Sequence, residues 1–223
     1  MRPLYAILFA FLAGNILAQT GTVADRTTLN GILGGSAYTE TFSGYPLSSG
    51  SALYFPAITT LNSTTLINSY GPGLVGPGVT FSDPADPGAG LQWDNTGYFT
   101  AASPEVLFNQ GHSITITFAV PTIAFGADVR DFNSNTMTAT IFGADHTTVL
   151  ATLSGINLSS NSVFLGYQAS GGIGQVTLTE TGSWSPLVSN LTFAAVPEPS
   201  PGLLLGSGTL FLLIGAWRRG RQA

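Results

Sequence analysis

The chain is 223 residues long, with a formal net charge of −5, no cysteine and two histidines. Those counts exclude disulfides, thiolate metal sites and a cysteine nucleophile, and leave too few imidazoles for the usual His-rich zinc site. Every basic residue is an arginine, and between residues 19 and 195 only Arg26 and Arg130 stand against ten carboxylates. That excess of negative charge argues against nucleic acid and anionic membrane surfaces as partners of this stretch.

Met1-Arg2-Pro3 is a short basic start, and Leu4 to Leu17 is mostly apolar before Ala18-Gln19. The pattern predicts a secretory signal peptide over residues 1–18, removed by signal peptidase. Residues 19–195 then have the length of one extracytoplasmic domain with ample material for a core. Short segments in which β-branched or aromatic residues alternate with small or polar ones predict strands. In chain order these are Tyr38–Phe42, Ala52–Phe55, Val79–Phe81, Ser113–Phe118, Ile123–Asp128, Thr136–Phe142, Thr147–Leu153, Val163–Tyr167, Gly174–Thr179 and Ser189–Phe193. Gly143-Ala-Asp-His146 between two of them predicts a hairpin turn. From Asn62 to Gly97 the chain reads as looser, with Gly/Pro-rich surface loops over Tyr70–Gly78 and Ser82–Gly90. No long stretch shows helical periodicity before the tail. The expected fold is all-β, an antiparallel β-sandwich of jelly-roll type, flanked by an N-terminal signal peptide and a C-terminal transmembrane sorting helix.

Oxygen-rich clusters are the candidate metal sites. Asp128, Asp131 and Asn133, with Asn135, sit at an expected strand end, and Asp83, Asp86, Asp94 and Asn95 fall in the Gly/Pro-rich region. A Ca2+ ion takes six to eight oxygens, so either cluster would need carbonyls or water to complete a shell. Turn-forming Asp and Asn are the plainer explanation. Sugar binding calls for an aromatic platform beside planar polar groups, and Trp93, Asp94, Asn95 and Tyr98 form the best local candidate, with Trp184, Tyr167 and Gln168 as further ones. A tryptophan beside a strand more often fills the core. No carboxylate pair or nucleophile elbow stands out, so a non-catalytic protein is expected.

In the tail, Val196-Pro197-Glu198-Pro199 is stiff and extended, because each proline fixes φ and biases its predecessor away from helix. An uncharged run of about sixteen residues follows from Gly202 to Trp217, enough for about 24 Å of helix, and then come Arg218, Arg219 and Arg221. Basic residues after an apolar span place that side in the cytoplasm and the preceding domain outside. Motif, span and basic cluster in this order resemble the PEP-CTERM sorting domain (residues 196–223) of Gram-negative bacteria. The resemblance implies recognition and cleavage near Pro197–Pro199 by an exosortase, anchoring in the inner membrane before processing, and a final place on the cell surface or in an exopolysaccharide matrix. Phe118–Asp128, Phe164–Tyr167, Ile173–Leu178 and Ser189–Phe193 also resemble exported jelly-roll domains with carbohydrate-binding or galactose-binding-like architecture. Together these lead to an exported, non-catalytic surface or matrix protein that contacts exopolysaccharide. A Ca2+-dependent lectin-like module is the first alternative, and a polysaccharide hydrolase the second.

Overall fold

In the computed structural model, the described residues are 20–86, 88–98, 103–109, 112–131, 136–158, 162–182 and 185–194, without the side chains of Leu107 and Asn109. The expected signal peptide and the whole sorting tail lie outside them, as do Asn133, Asn135 and Trp184. Among the described residues no helix is long and apolar enough to cross a membrane.

The elements in chain order are β1 (Gly21–Thr22), α1 (Arg26–Leu33), a 3-10 turn (Gly34–Ser36), β2 (Ala37–Glu40), β3 (Ala52–Phe55), β4 (Thr60–Asn62), β5 (Val79–Ser82), β6 (Gly90–Asp94) and β7 (Glu105–Asn109). They continue with β8 (Ser113–Arg130), β9 (Thr136–Gly143), β10 (Val149–Asn157), β11 (Val163–Glu180) and β12 (Leu187–Ala194). All the strand pairs are antiparallel, so the fold is an all-β antiparallel one as expected.

Two long strands organise it. β8 merges the expected strands Ser113–Phe118 and Ile123–Asp128, and β11 merges Val163–Tyr167 and Gly174–Thr179. Their shared ladder breaks register between Gln168 and Ile173. Pro121, which has no N–H to donate, lies in β8 at this break, and Gly172 opposite takes φ +84°. The break is also a sharp bend. Phe118 and Phe125 are seven residues apart, about 23 Å in a straight strand, yet their ring centroids are 6.1 Å apart.

The bend divides the sheet into two facing layers. In the first, β4, β5, the start of β8, the end of β11, β9 and β10 lie side by side. In the second, β1, the start of β11, the end of β8 and β12 follow one another, β12 also pairs with β2 and β7, and β6 and β3 extend from β7. Alternation decides what fills the space between: Met137, Ala139 and Ile141 of β9 point inward, as do Ile114, Ile116 and Phe118 of β8. Phe42 bridges the layers, its ring edge-on to Phe81 at 5.3 Å and to Trp93 at 6.0 Å. Each such side chain taken out of water contributes about 1.5–3 kcal/mol before entropy is counted.

Several features depart from the sequence reading, the short strands β1 and β4 among them. β6 is a buried strand inside the region expected to be loose, and β7 was not anticipated. α1 was not anticipated either. It begins where the Asp25 carboxylate accepts the Thr28 N–H at 2.7 Å, and it buries Leu29 and Leu33, one turn apart, against Ala124 and Val23 on the outer face of the second layer. Gly126 permits that approach: a Cβ there would sit 2.5 Å from the Phe164 ring and 2.7 Å from Leu29. The loop containing Tyr70–Gly78 is tied down by Glu40, whose carboxylate accepts the N–H groups of Phe42 (2.7 Å) and Gly76 (2.6 Å) and the Tyr38 hydroxyl (3.1 Å). Burial together with this carboxylate pushes the Tyr38 phenol up to about 12.

Candidate functional site

The strand period separates Trp93 from Asp94. Trp93 points into the core, 1% exposed, with its indole N–H donating to the Phe42 carbonyl at 3.0 Å and its ring against Phe42 and Tyr45. No ring face is left for a sugar, so its expected role as a glycan platform is corrected to core packing.

Asp94 points to the other side of β6 and is wholly buried. Gln92 donates its amide to Asp94 Oδ1 at 2.9 Å, while Oδ2 has no hydrogen-bond partner among the described residues. Across the ladder stands Glu105 of β7, gripped by Arg130 at the end of β8 through Nε (2.5 Å) and Nη2 (2.6 Å). Arg130 Nη2 also reaches the Tyr98 carbonyl at 3.4 Å. Burial pushes the Asp94 carboxyl up to about 6; the Gln92 amide opposes that rise, Glu105 adds to it and Arg130 draws it back. Burial also raises Glu105, against the pull of Arg130. Among the described residues this is a desolvated polar cluster in which one amide, two carboxylates and one guanidinium meet.

Asn95 and Tyr98 belong to the turn that follows. Asn95 donates its amide to the Leu47 carbonyl and accepts the Thr96 N–H at 2.7 Å, and Tyr98 N–H returns to the Asn95 carbonyl at 3.0 Å. Tyr167 is buried and Gln168 is half-buried. Among the described residues, exposed aromatic rings include Tyr54 on β3, opposite Gln92 in the ladder, and Tyr70, edge-on to Tyr45 at 5.3 Å. Sequence reasoning passed over both. For Tyr54 a signal existed, since it alternates with Leu53 and Phe55 and so faces away from them.

In the expected cation cluster at the end of β8, the Asp128 carboxylate is engaged by protein groups. Asp128 receives Arg26 Nη2 on Oδ1 and the Asn190 amide on Oδ2, both at 2.8 Å. Arg26 donates further to the Asn190 carbonyl (2.9 Å) and the Thr192 hydroxyl (2.6 Å), and its guanidinium lies 5.3 Å from the centre of the Phe164 ring. Asp128 is thus an ion-pair partner of Arg26, and Asn133 and Asn135 of the expected cluster lie outside the described residues. Asp131 is buried just beyond the end of β8. In the other cluster Asp83 Oδ1 accepts the N–H groups of Ala85 and Asp86 and the Ser113 hydroxyl, and Asp86 accepts Gly88 N–H. These are turn-capping bonds of the Asx kind. Among the described residues no group of three or more His, Asp or Glu is arranged to hold a metal ion.

No family model matches the sequence, and no curated protein matches it. Solved structures with partial likeness include a glycoside hydrolase family 43 arabinoxylan arabinofuranohydrolase from Bacillus subtilis in complex with cellotetraose, at 17% identity and a TM-score of 0.28 over 43% of this chain. The chain spans 22% of the length of that enzyme. A mutant of a family 29 carbohydrate-binding module matches at 12% identity and a TM-score of 0.29, covering 67% of this chain and 99% of the module. The module CBM6-3 from Clostridium stercorarium, in complex with cellobiose, matches at 16% identity and a TM-score of 0.25, covering 63% and 95%. Likeness this low assigns neither ligand nor activity to the chain.

Proposed function

We propose that this protein is an exported, non-catalytic surface or exopolysaccharide-matrix protein, in which a jelly-roll-type domain is delivered by a tail that an exosortase processes. One observation carries the reading: β12 ends at Ala194, and the Val196-Pro197-Glu198-Pro199 motif starts two residues later, followed by the uncharged run and Arg218, Arg219 and Arg221. A stiff Pro-Glu-Pro element between a folded domain and an apolar span is suited to a membrane-embedded processing enzyme, which needs an extended substrate near the bilayer. Replacing Pro197, Glu198 and Pro199 together should abolish processing in an exosortase-positive host, read as a retained tail in the mature mass and retention in the inner-membrane fraction. Unchanged mass and fractionation would overturn the reading.

A carbohydrate-binding role for the domain is the second reading. The exposed rings of Tyr54 and Tyr70 favour it, because they offer π-faces to the apolar side of a sugar. With the Asp128 carboxylate already engaged by Arg26 and Asn190, binding on a glycan array should be insensitive to EDTA and should fall when Tyr54 or Tyr70 is changed to alanine. Product release from a polysaccharide would defeat both readings in favour of a hydrolase.

A further inference from the structure

The bend in β8 and the exit of the chain from β12 are neighbours. Ala194, the last residue of β12, donates its N–H to the Thr122 hydroxyl at 3.1 Å and pairs with Ala37 at the start of β2. Around this exit Ala119, Val120, Pro121 and Ile123 are exposed, with Val120 at 51% and Ile123 at 48%. The tip from Ala119 to Ala124 carries no charge. The two ends of β8, Ser113 and Arg130, each lie six residues from this tip, about 20 Å along the strand, so the Asp94–Glu105–Arg130 cluster is remote from it. The ionisable groups on the adjoining hairpin are Asp145 and His146, brought near because a Cβ on Gly172 would sit 3.0 Å from Pro121 and 3.7 Å from Ala144.

The apolar run begins at Gly202, eight residues beyond Ala194. Fully extended, that connection covers at most about 28 Å, and any turn shortens it. Once the run spans a bilayer, the exit end is the part of the domain closest to the membrane. The acidic excess of the domain opposes its approach to an anionic surface, whereas an uncharged aliphatic tip can enter the interfacial region. We propose that Val120, Pro121 and Ile123 form a membrane-facing corner that rests in the outer interface of the bilayer while the tail is inserted, and so sets the domain's orientation before processing. This rests on reading residues 202–217 as a membrane span.

The chain contains no cysteine, so single cysteines can be labelled in the full-length protein. Ile123→Cys, Val120→Cys and, as a control at the remote end, Thr96→Cys would each carry an environment-sensitive fluorophore in phosphatidylcholine vesicles with or without brominated chains. The expected result is co-flotation of all three variants, with a blue shift and loss of emission on bromination at positions 120 and 123 and neither change at 96. Co-flotation with the three labels behaving alike would overturn the corner and leave the span standing. Failure to co-float would remove the span, and this proposal with it. Using two tip positions guards against one variant failing to fold, which circular dichroism would report.

Discussion

Arg130 and Arg26 both end on a carboxylate of the second layer, but in different surroundings. The Arg130–Glu105 side chains are 5% and 3% exposed, those of Arg26 and Asp128 32% and 23%. Arg130 is committed to a desolvated pair, where attraction and the cost of leaving water nearly cancel and the penalty appears only when one partner is lost. Arg26 spreads its donors over Asp128, Asn190 and Thr192, fastening α1 to β8 and β12 in partial contact with water, where each bond contributes little. The same residue type thus closes the interior at one place and positions a helix at the other.

Breaking the buried pair should have the largest effect. Arg130→Ala is expected to cost about 3–5 kcal/mol by urea denaturation, because Glu105 would remain buried without its partner. Combining Arg130→Met with Glu105→Leu should recover most of that loss; a double variant as unstable as the single one would show that the pair itself is stabilising. Asp94 sharpens the contrast through pH. Its folded-state pKa of about 6 lies above the ordinary 3.8, so the folded protein holds this proton more tightly than the unfolded chain does. The stability it contributes is therefore full below about pH 4 and lost as pH rises through 6, by up to about 3 kcal/mol. Asp94→Asn should remove that slope between pH 4 and 6 and stabilise the protein at pH 7 by about 1–3 kcal/mol. On the helix side, Gly126→Ala should cost about 1–3 kcal/mol by forcing Leu29 and Phe164 apart. Arg26→Ala should cost least, about 1 kcal/mol, with added salt narrowing its difference from the parent.

Much of the fold is legible where one face of a strand is buried and the other is polar. Thr136–Phe142 and Val79–Phe81 follow this pattern, and the Gly143–His146 turn joins β9 to β10 as expected, with the Asp145 carboxylate accepting the N–H groups of Thr147 and Thr148. Three kinds of information were not local. The unity of β8 and of β11 is hidden because Pro121 and Gly171-Gly172 read as breaks, while the ladder continues across them with a shift. α1 is eight residues long with only Leu29 and Leu33 buried, too short a stripe to stand out against its Thr and Gly content. The ion pairs join positions as distant as Arg26 and Asp128, which no spacing rule connects. The candidate site failed on a related point. Trp93 and Asp94, adjacent in the chain, are sent to opposite faces by the pleat, while Asn95 and Tyr98 go into the turn that follows.

The position of β12 has a consequence for the order in which the molecule can be made. Leu187–Ala194 is the common partner of β2, β7 and β8, yet it is the last of the described strands to emerge from the ribosome. Until residue 194 is available, β2 has no neighbour in the sheet, β7 is held only by β6, and the inner face of Val188, Leu191 and Phe193 is missing from the core. Such long-range pairing is slow and leaves sticky intermediates, so the domain cannot complete itself piecemeal as the chain is made. Its closure therefore waits on the strand that the chain supplies last among those described.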